Sequence, residues 1–266
     1  MKYETLYTAC EGAIGRIVLD RPECYNAMNG PMMRHDLPAA WQEMSENPDV
    51  RVIVFSANGA NFCTGNDVKE TAELGGENIP RDAQWPAVAL TSLQNGVWKP
   101  VIVAVHGMCA GGGLYFLAHA DINVASADAT FFDPHVDVGL VAGIEAVELL
   151  TRVSLPVAMR MVAMGKDERM SAARALEVGL VDEVVPAGQQ LDRAMALAEV
   201  IARKSPTALM RSKRCLWEAA DLTRPRALEN SWEIVRRHWD HPDSIEGPAA
   251  FAARRAPEWL RPDGDV

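Results

Sequence analysis

The chain of 266 residues is 48% hydrophobic and carries a formal net charge of −10. That length buries one core of moderate size, with or without a smaller helical appendage, and the composition excludes a disordered chain. The acidic balance argues against nucleic acid or an anionic membrane as the main partner, since both demand an excess of Lys and Arg.

Residues 3–10 and 14–19 read as two strands about a turn at 11–13, behind a short polar start that lacks a secretory pattern. Asn29 is placed to cap a helix with Pro31 in its first turn, running toward Ser45 with Pro38 as a kink point. RVIVFS at 51–56 is a β-branched strand of the buried type. ANFCTGNDVKE at 60–70 is an aromatic-flanked turn through Gly65 into a helix start, for which Asp67 reads as the cap. Residues 75–86 are Gly, Pro and polar in composition and read as a surface loop covering a pocket.

VAVHGMCAGGGLYFLAHAD at 103–121 is an apolar strand, three consecutive glycines and an amphipathic segment. Gly111, Gly112 and Gly113 remove every Cβ from the turn, so a ligand atom can approach the main chain where a helix's first amides lack intrahelical partners. Such donors favour an oxygen that gains negative charge. Tight helix-against-strand packing is the competing explanation. The turn at 60–70 has the same grammar, which favours two turns holding one oxyanion between them.

Further strands are expected at 101–105, 122–125 and 130–132, so the recurring unit is strand, strand, helix in an α/β pattern. From Pro206 the chain turns helical, at 208–220, 226–239 and 245–255. Leu209, Leu216, Trp217, Leu228, Trp232 and Val235 form stripes there that fit either their own domain or, preferentially, a neighbouring subunit. The five cysteines show no C-x-x-C pair and read as reduced thiols of a cytoplasmic protein, with Cys63 and Cys109 as small buried fillers. His106 suits a local backbone bond, and His238 and His241 lack a third ligand, so no metal site is expected. No apolar run approaches the ~18 residues of a membrane span.

RPECYNAMN at 21–29, NFCTGNDVKE at 61–70, KPVIVAVHGMCAGGG at 99–113, HADINVASADATFFDPHVDVGL at 119–140 and MSAARALEVGLVDEVV at 170–185 together resemble the enoyl-CoA hydratase/isomerase, or crotonase, superfamily. The resemblance implies an α/β crotonase-like spiral of strand-strand-helix units over residues 1–205, holding the CoA/acyl pocket, and a C-terminal helical trimerisation region at 206–266. It implies an oxyanion hole made by the backbone amides of Asn66 and Gly112, which stabilises the enolate of an acyl-CoA thioester. Coenzyme A then belongs to the substrate and no cofactor is permanently bound. Arg21, Arg254 and Arg255 become candidate CoA contacts beside Asn66, the last two reaching a neighbour's site in a homotrimer or dimer of trimers.

The positions of the two hydratase glutamates hold Tyr115 and His135, so the groups that activate water in ordinary hydration are not supplied there. The carboxylate position of related isomerases matches Gly143, with Glu145 two residues on. His135 is then the candidate for proton transfer, with Asp133 or Asp137 to orient it, since its reference pKa near 6.5 suits an acid or base at neutral pH. Tyr115 is a candidate hydrogen-bond donor to substrate or an aromatic core residue. Glu145 reads as solvent-facing near a helix start, with a substrate-facing carboxylate as the alternative. The expected activity is that of a crotonase-family lyase or isomerase. A C–C bond hydrolase or decarboxylase on the same fold, and a non-catalytic acyl-CoA-binding scaffold, are the alternatives.

Overall fold

The computed structural model describes residues 2–75 and 88–262, so the pocket-covering loop expected at 75–86 lies, apart from Gly75, outside the described residues. The first strands are β1 (Leu6–Glu11) and β2 (Ile14–Leu19), an antiparallel pair joined at Gly12. Asn29 Oδ1 accepts the Met32 N–H at 3.1 Å, as its capping position predicts. The helix it opens widens into a π turn over Met32–Asp36 before α1 (Leu37–Glu46), in which Pro38 is the second residue. A proline there has no N–H for the preceding turn, which is the physical reason for the local irregularity.

β3 (Val52–Ala57), β4 (Val101–Val105), β6 (Ile122–Ser126) and β9 (Glu183–Val185) continue the sheet in parallel, in the order β1-β2-β3-β4-β6-β9. Because side chains alternate along a strand, Val52, Val54, Ile102, Ala104 and Val124 face α7 (Gln190–Ala202), while Ile53, Phe55, Val101 and Val103 face the main core with Trp41 of α1. Each such fully buried aliphatic side chain contributes roughly 1.5–3 kcal/mol. A second sheet of three short strands, β5 (Met108–Ala110), β7 (Thr130–Phe132) and β8 (Met170–Ser171), stands beside the first.

The helices between these strands are α2 (Val68–Glu73), α3 (Leu114–Ala118), α4 (Ile144–Glu148), α5 (Leu155–Met164) and α6 (Ala172–Val178). The chain ends in α8 (Pro206–Ala220), α9 (Arg224–His238) and α10 (Asp243–Ala252), each starting two residues earlier than the apolar spacing predicts. For α8 the reason is Ser205, whose hydroxyl accepts the Ala208 N–H. Lys213 fastens α8 to the core through Asp121 Oδ2 at 2.8 Å and the Lys99 carbonyl at 3.0 Å. Of the predicted stripe, Leu209 and Trp217 are half-buried, whereas Leu216, Leu228, Trp232 and Val235 are exposed on this chain.

Candidate active site

Two glycine turns meet at one point. Gly65 takes φ +85°, and a Cβ built there would stand 2.9 Å from both the Ala110 carbonyl oxygen and the Gly112 nitrogen. A Cβ at Gly113 would stand 2.6 Å from the Cys63 carbonyl oxygen. The backbones therefore touch because these positions lack side chains. The Asn66 turn is pinned from its other side: Met28 N–H donates to Gly65 O at 2.7 Å and Asp67 N–H donates to Met28 O at 2.9 Å. In this parallel bridge the groups flanking Asn66 face Met28, so the Asn66 N–H points to the opposite side. Gly111–Gly113 form a tight turn that runs straight into α3, where the first amides precede any intrahelical acceptor.

The loop after β7 brings acidic and basic groups to the same point. Asp133, 1% exposed, accepts His135 Nδ1 at 2.6 Å and the His135 backbone N–H at 3.0 Å through Oδ1. Its Oδ2 is buried with no hydrogen-bond partner among the described residues. The opposite imidazole nitrogen, Nε2, lies 3.8 Å from Glu145 Oε1. That carboxylate oxygen also stands 3.7 Å from the Cβ position of Gly112, and His135 Cε1 stands 3.4 Å from that of Gly111. The hydrogen bond to Asp133 holds the His135 pKa above its usual value, against an opposing effect of burial. Burial pushes the Glu145 carboxyl upward too, while its own backbone N–H and His135 act in the other direction.

Glu145 is thus a correction to its reading as a solvent-facing residue: its side chain is 15% exposed and turned toward the glycine turns. One helical turn on, Glu148 Oε2 accepts His119 Nε2 at 3.0 Å, and Thr91 Oγ1 lies 2.7 Å from His119 Nδ1. Helix α4 so presents two carboxylates to two histidines.

Asp137 does not orient His135. Residues Val136–Val138 coil into a 3-10 turn ended by Gly139 at φ +75°, and Asp137 Oδ2 accepts the Lys166 N–H at 2.8 Å instead. Asp133 alone holds the imidazole. Tyr115 belongs to the main core, 3% exposed, edge-on to His119 with ring centroids 5.9 Å apart. Burial, together with Glu145 and Glu148, keeps its phenol protonated far into alkaline pH. Cys63 and Cys109 are fully buried, and burial pushes the Cys63 thiol up to about 12. His106 Nε2 meets the Gly59 carbonyl at 2.9 Å.

A cavity of about 350 Å³ opens onto this point, walled by Tyr25, Ala27, Asn66, Lys69, Gly111 and His135 among others. Arg21 is not among its walls. The Arg21 guanidinium is held at 3.2 Å by Asp67 Oδ2 and also donates to the Ala27 carbonyl, so it braces the loop. Asp67 in turn caps α2 through the Lys69 and Glu70 N–H groups, as its position predicts. The exposed cation at the mouth is Lys69, which sequence reasoning passed over although it follows the Gly65 turn directly. Arg255 pairs with Glu246 at 2.5 and 2.7 Å, Arg254 takes φ +54°, and neither lines this cavity within the chain. No helix of the described residues is long and apolar enough to cross a membrane.

The chain matches the family model described as enoyl-CoA hydratase/isomerase over residues 9–262. It is 34% identical to the (E)-benzylidenesuccinyl-CoA hydratase of Thauera aromatica, across 92% of this chain and 94% of that protein. It is 31% identical to the carnitinyl-CoA dehydratase of Proteus mirabilis, across 96% and 98%. Among solved structures, an enoyl-CoA hydratase/isomerase from Mycobacterium paratuberculosis superposes with a TM-score of 0.91 at 34% identity, covering 97% of this chain and 99% of that one.

Proposed function

The chain belongs to the enoyl-CoA hydratase/isomerase family, and from that membership we propose that it binds an acyl-CoA thioester, polarises the thioester carbonyl through the Asn66 and Gly112 N–H groups, and moves a proton with His135. The observation that carries this reading is the contact of the Gly65 and Gly112 backbones beside the His135 imidazole. A proton α to a thioester is too weakly acidic to leave unaided. Two preorganised amides on the oxygen that gains charge lower the barrier by roughly 2.7–4 kcal/mol each in comparable sites.

His135 supplies proton chemistry where the hydratase glutamate is absent, and Asp133 fixes its orientation through Nδ1. Lys69 at the cavity mouth offers a cation to the CoA phosphates, and Arg254 and Arg255 would do so across a subunit contact. Exposed Leu216, Leu228 and Trp232 on the terminal helices suit burial between copies in a trimer or dimer of trimers. Nothing in this reading requires a permanently bound cofactor, and a cytoplasmic setting with reduced thiols accords with the free cysteines.

The test is a panel of saturated, 2-enoyl, 3-hydroxy and 3-oxo acyl-CoA esters, with products followed by mass spectrometry. The expected result is turnover of at least one ester, abolished by Gly112→Pro, which removes one N–H. Tight binding of the esters with no turnover by the native protein would overturn it in favour of a non-catalytic acyl-CoA binder. Cleavage of the 3-oxo ester would instead identify a C–C bond hydrolase.

A further inference from the structure

We propose that Glu145 is the base that removes the α-proton of the bound thioester, with His135 as its partner acid; this rests on the acyl-CoA reading above. The geometry carries the argument. Glu145 Oε1 stands 3.7 Å from the Cβ position of Gly112, on the side of the turn where a substituent would project. A thioester oxygen bonded to the Gly112 N–H sits about 3 Å from that nitrogen. Two further bonds lie between that oxygen and the α-carbon, which would bring it within reach of the carboxylate, with the Met28 methyl crowding the same Cβ position.

The second line of argument is the division of labour with His135. Its Nδ1 is engaged by Asp133, so only Nε2 is left for exchange, and Nε2 faces Glu145 at 3.8 Å. An imidazole whose protonated form is favoured by a buried carboxylate suits the part of an acid, and a site that ionises a C–H bond needs a base as well. Among the described residues no Lys or Arg pairs with Glu145. The titratable groups around it are Asp133 and His135 from the β7 loop, Tyr115 from α3, and Glu148 on its own helix. Its raised pKa brings the carboxylate nearer the range in which a general base works at neutral pH.

The step balances without any co-reactant. The Cα–H bond breaks and its proton passes to Glu145 Oε1, while the bonding pair moves into the enolate and leaves its charge on the thioester oxygen. In heavy water the carboxyl exchanges its proton, directly or through His135 Nε2, and the reverse step returns deuterium to the α-carbon.

The experiment measures α-deuterium incorporation into butyryl-CoA, 3-hydroxybutyryl-CoA and 3-phenylpropionyl-CoA by the native chain, Glu145→Gln and Glu145→Asp, with ester affinity measured in parallel. Glu145→Gln is expected to lose exchange by about 100-fold or more while binding stays within about threefold. Glu145→Asp retains the charge with a shorter reach. It is expected to melt like the native chain and lose about tenfold, which guards against a folding defect in the glutamine variant. Exchange by Glu145→Gln within about threefold of the native rate overturns the assignment of Glu145 and leaves the acyl-CoA reading standing. A native chain that exchanges none of the three esters overturns both.

Discussion

His135 stands between two carboxylates, with Nδ1 2.6 Å from Asp133 Oδ1 and Nε2 3.8 Å from Glu145 Oε1. The first contact is a charge-assisted hydrogen bond that fixes the ring. The second is an approach without a bond, leaving room for a substrate atom or a transferred proton.

The rate on any turned-over ester is expected to be bell-shaped in pH. The proposed roles need Glu145 ionised and His135 protonated, so the acid limb is expected above the usual carboxyl value of 4.5 and the alkaline limb above the usual imidazole value of 6.5. In Glu145→Gln the acid limb should vanish from whatever rate survives. A profile of kcat/KM against pH for both proteins checks it.

Asp133→Asn keeps an acceptor for Nδ1 but removes the charge that favours the imidazolium. The alkaline limb is expected to move to lower pH and the rate near neutrality to fall by about tenfold to 100-fold. Titration of the His135 ring by NMR reports the same shift without relying on turnover.

His135→Ala leaves a carboxylate that is 1% exposed, with one oxygen already unpartnered. Removing one member of a buried pair costs about 3–5 kcal/mol, so urea unfolding should show a loss on that scale, whereas His135→Gln should lose less. The sign with pH follows from the raised imidazole value. The stabilisation by protonated His135 is complete below the unfolded value of 6.5 and is lost as pH rises through the folded one. The margin by which the native chain outmelts His135→Gln should accordingly narrow as pH rises.

Gly65→Ala forces a side chain onto φ +85° and against two backbone atoms at 2.9 Å. The left-handed conformation alone costs roughly 1–2 kcal/mol, and the clash must spread the two turns apart. Loss of activity should exceed loss of stability. Gly112→Ala meets mainly the terminal methyl of Met28, so its defect should be partly relieved by Met28→Ala.

Asp137→Asn separates the two acidic neighbours of His135. Its carboxylate serves the Lys166 N–H, so the expected effect is a stability loss of about 1 kcal/mol with the pH profile unmoved.

Five of the six strands of the larger sheet were legible because β-branched runs such as RVIVFS and VIVAV admit few other conformations. The strands β5, β8 and β9 escaped notice, since two or three residues carry no periodicity and these lack the β-branched and aromatic run TFF that marks β7. Both glycine turns, and their meeting, were legible from composition and spacing; how closely the backbones touch at Gly65 and Gly112 was not. Asp137 misled because spacing of two implies a shared face only in extended chain, and Gly139 closes this segment into a turn. Glu145 was hidden for a related reason. The direction of a short helix after a glycine-rich loop is set by packing, which Glu148 and its bond to His119 reveal only in three dimensions. The carboxylate partner of Arg21, Asp67, was hidden because it is remote in the chain.

A single five-residue segment, α4, contributes the anion opposite each of two histidines rooted in different parts of the fold. Displacing it would disturb both contacts in one motion. In the proposed mechanism, room for a bulky acyl chain is then tied to the setting of the His135 imidazole, because a ligand that pushed this helix outward would also carry Glu145 away from Nε2.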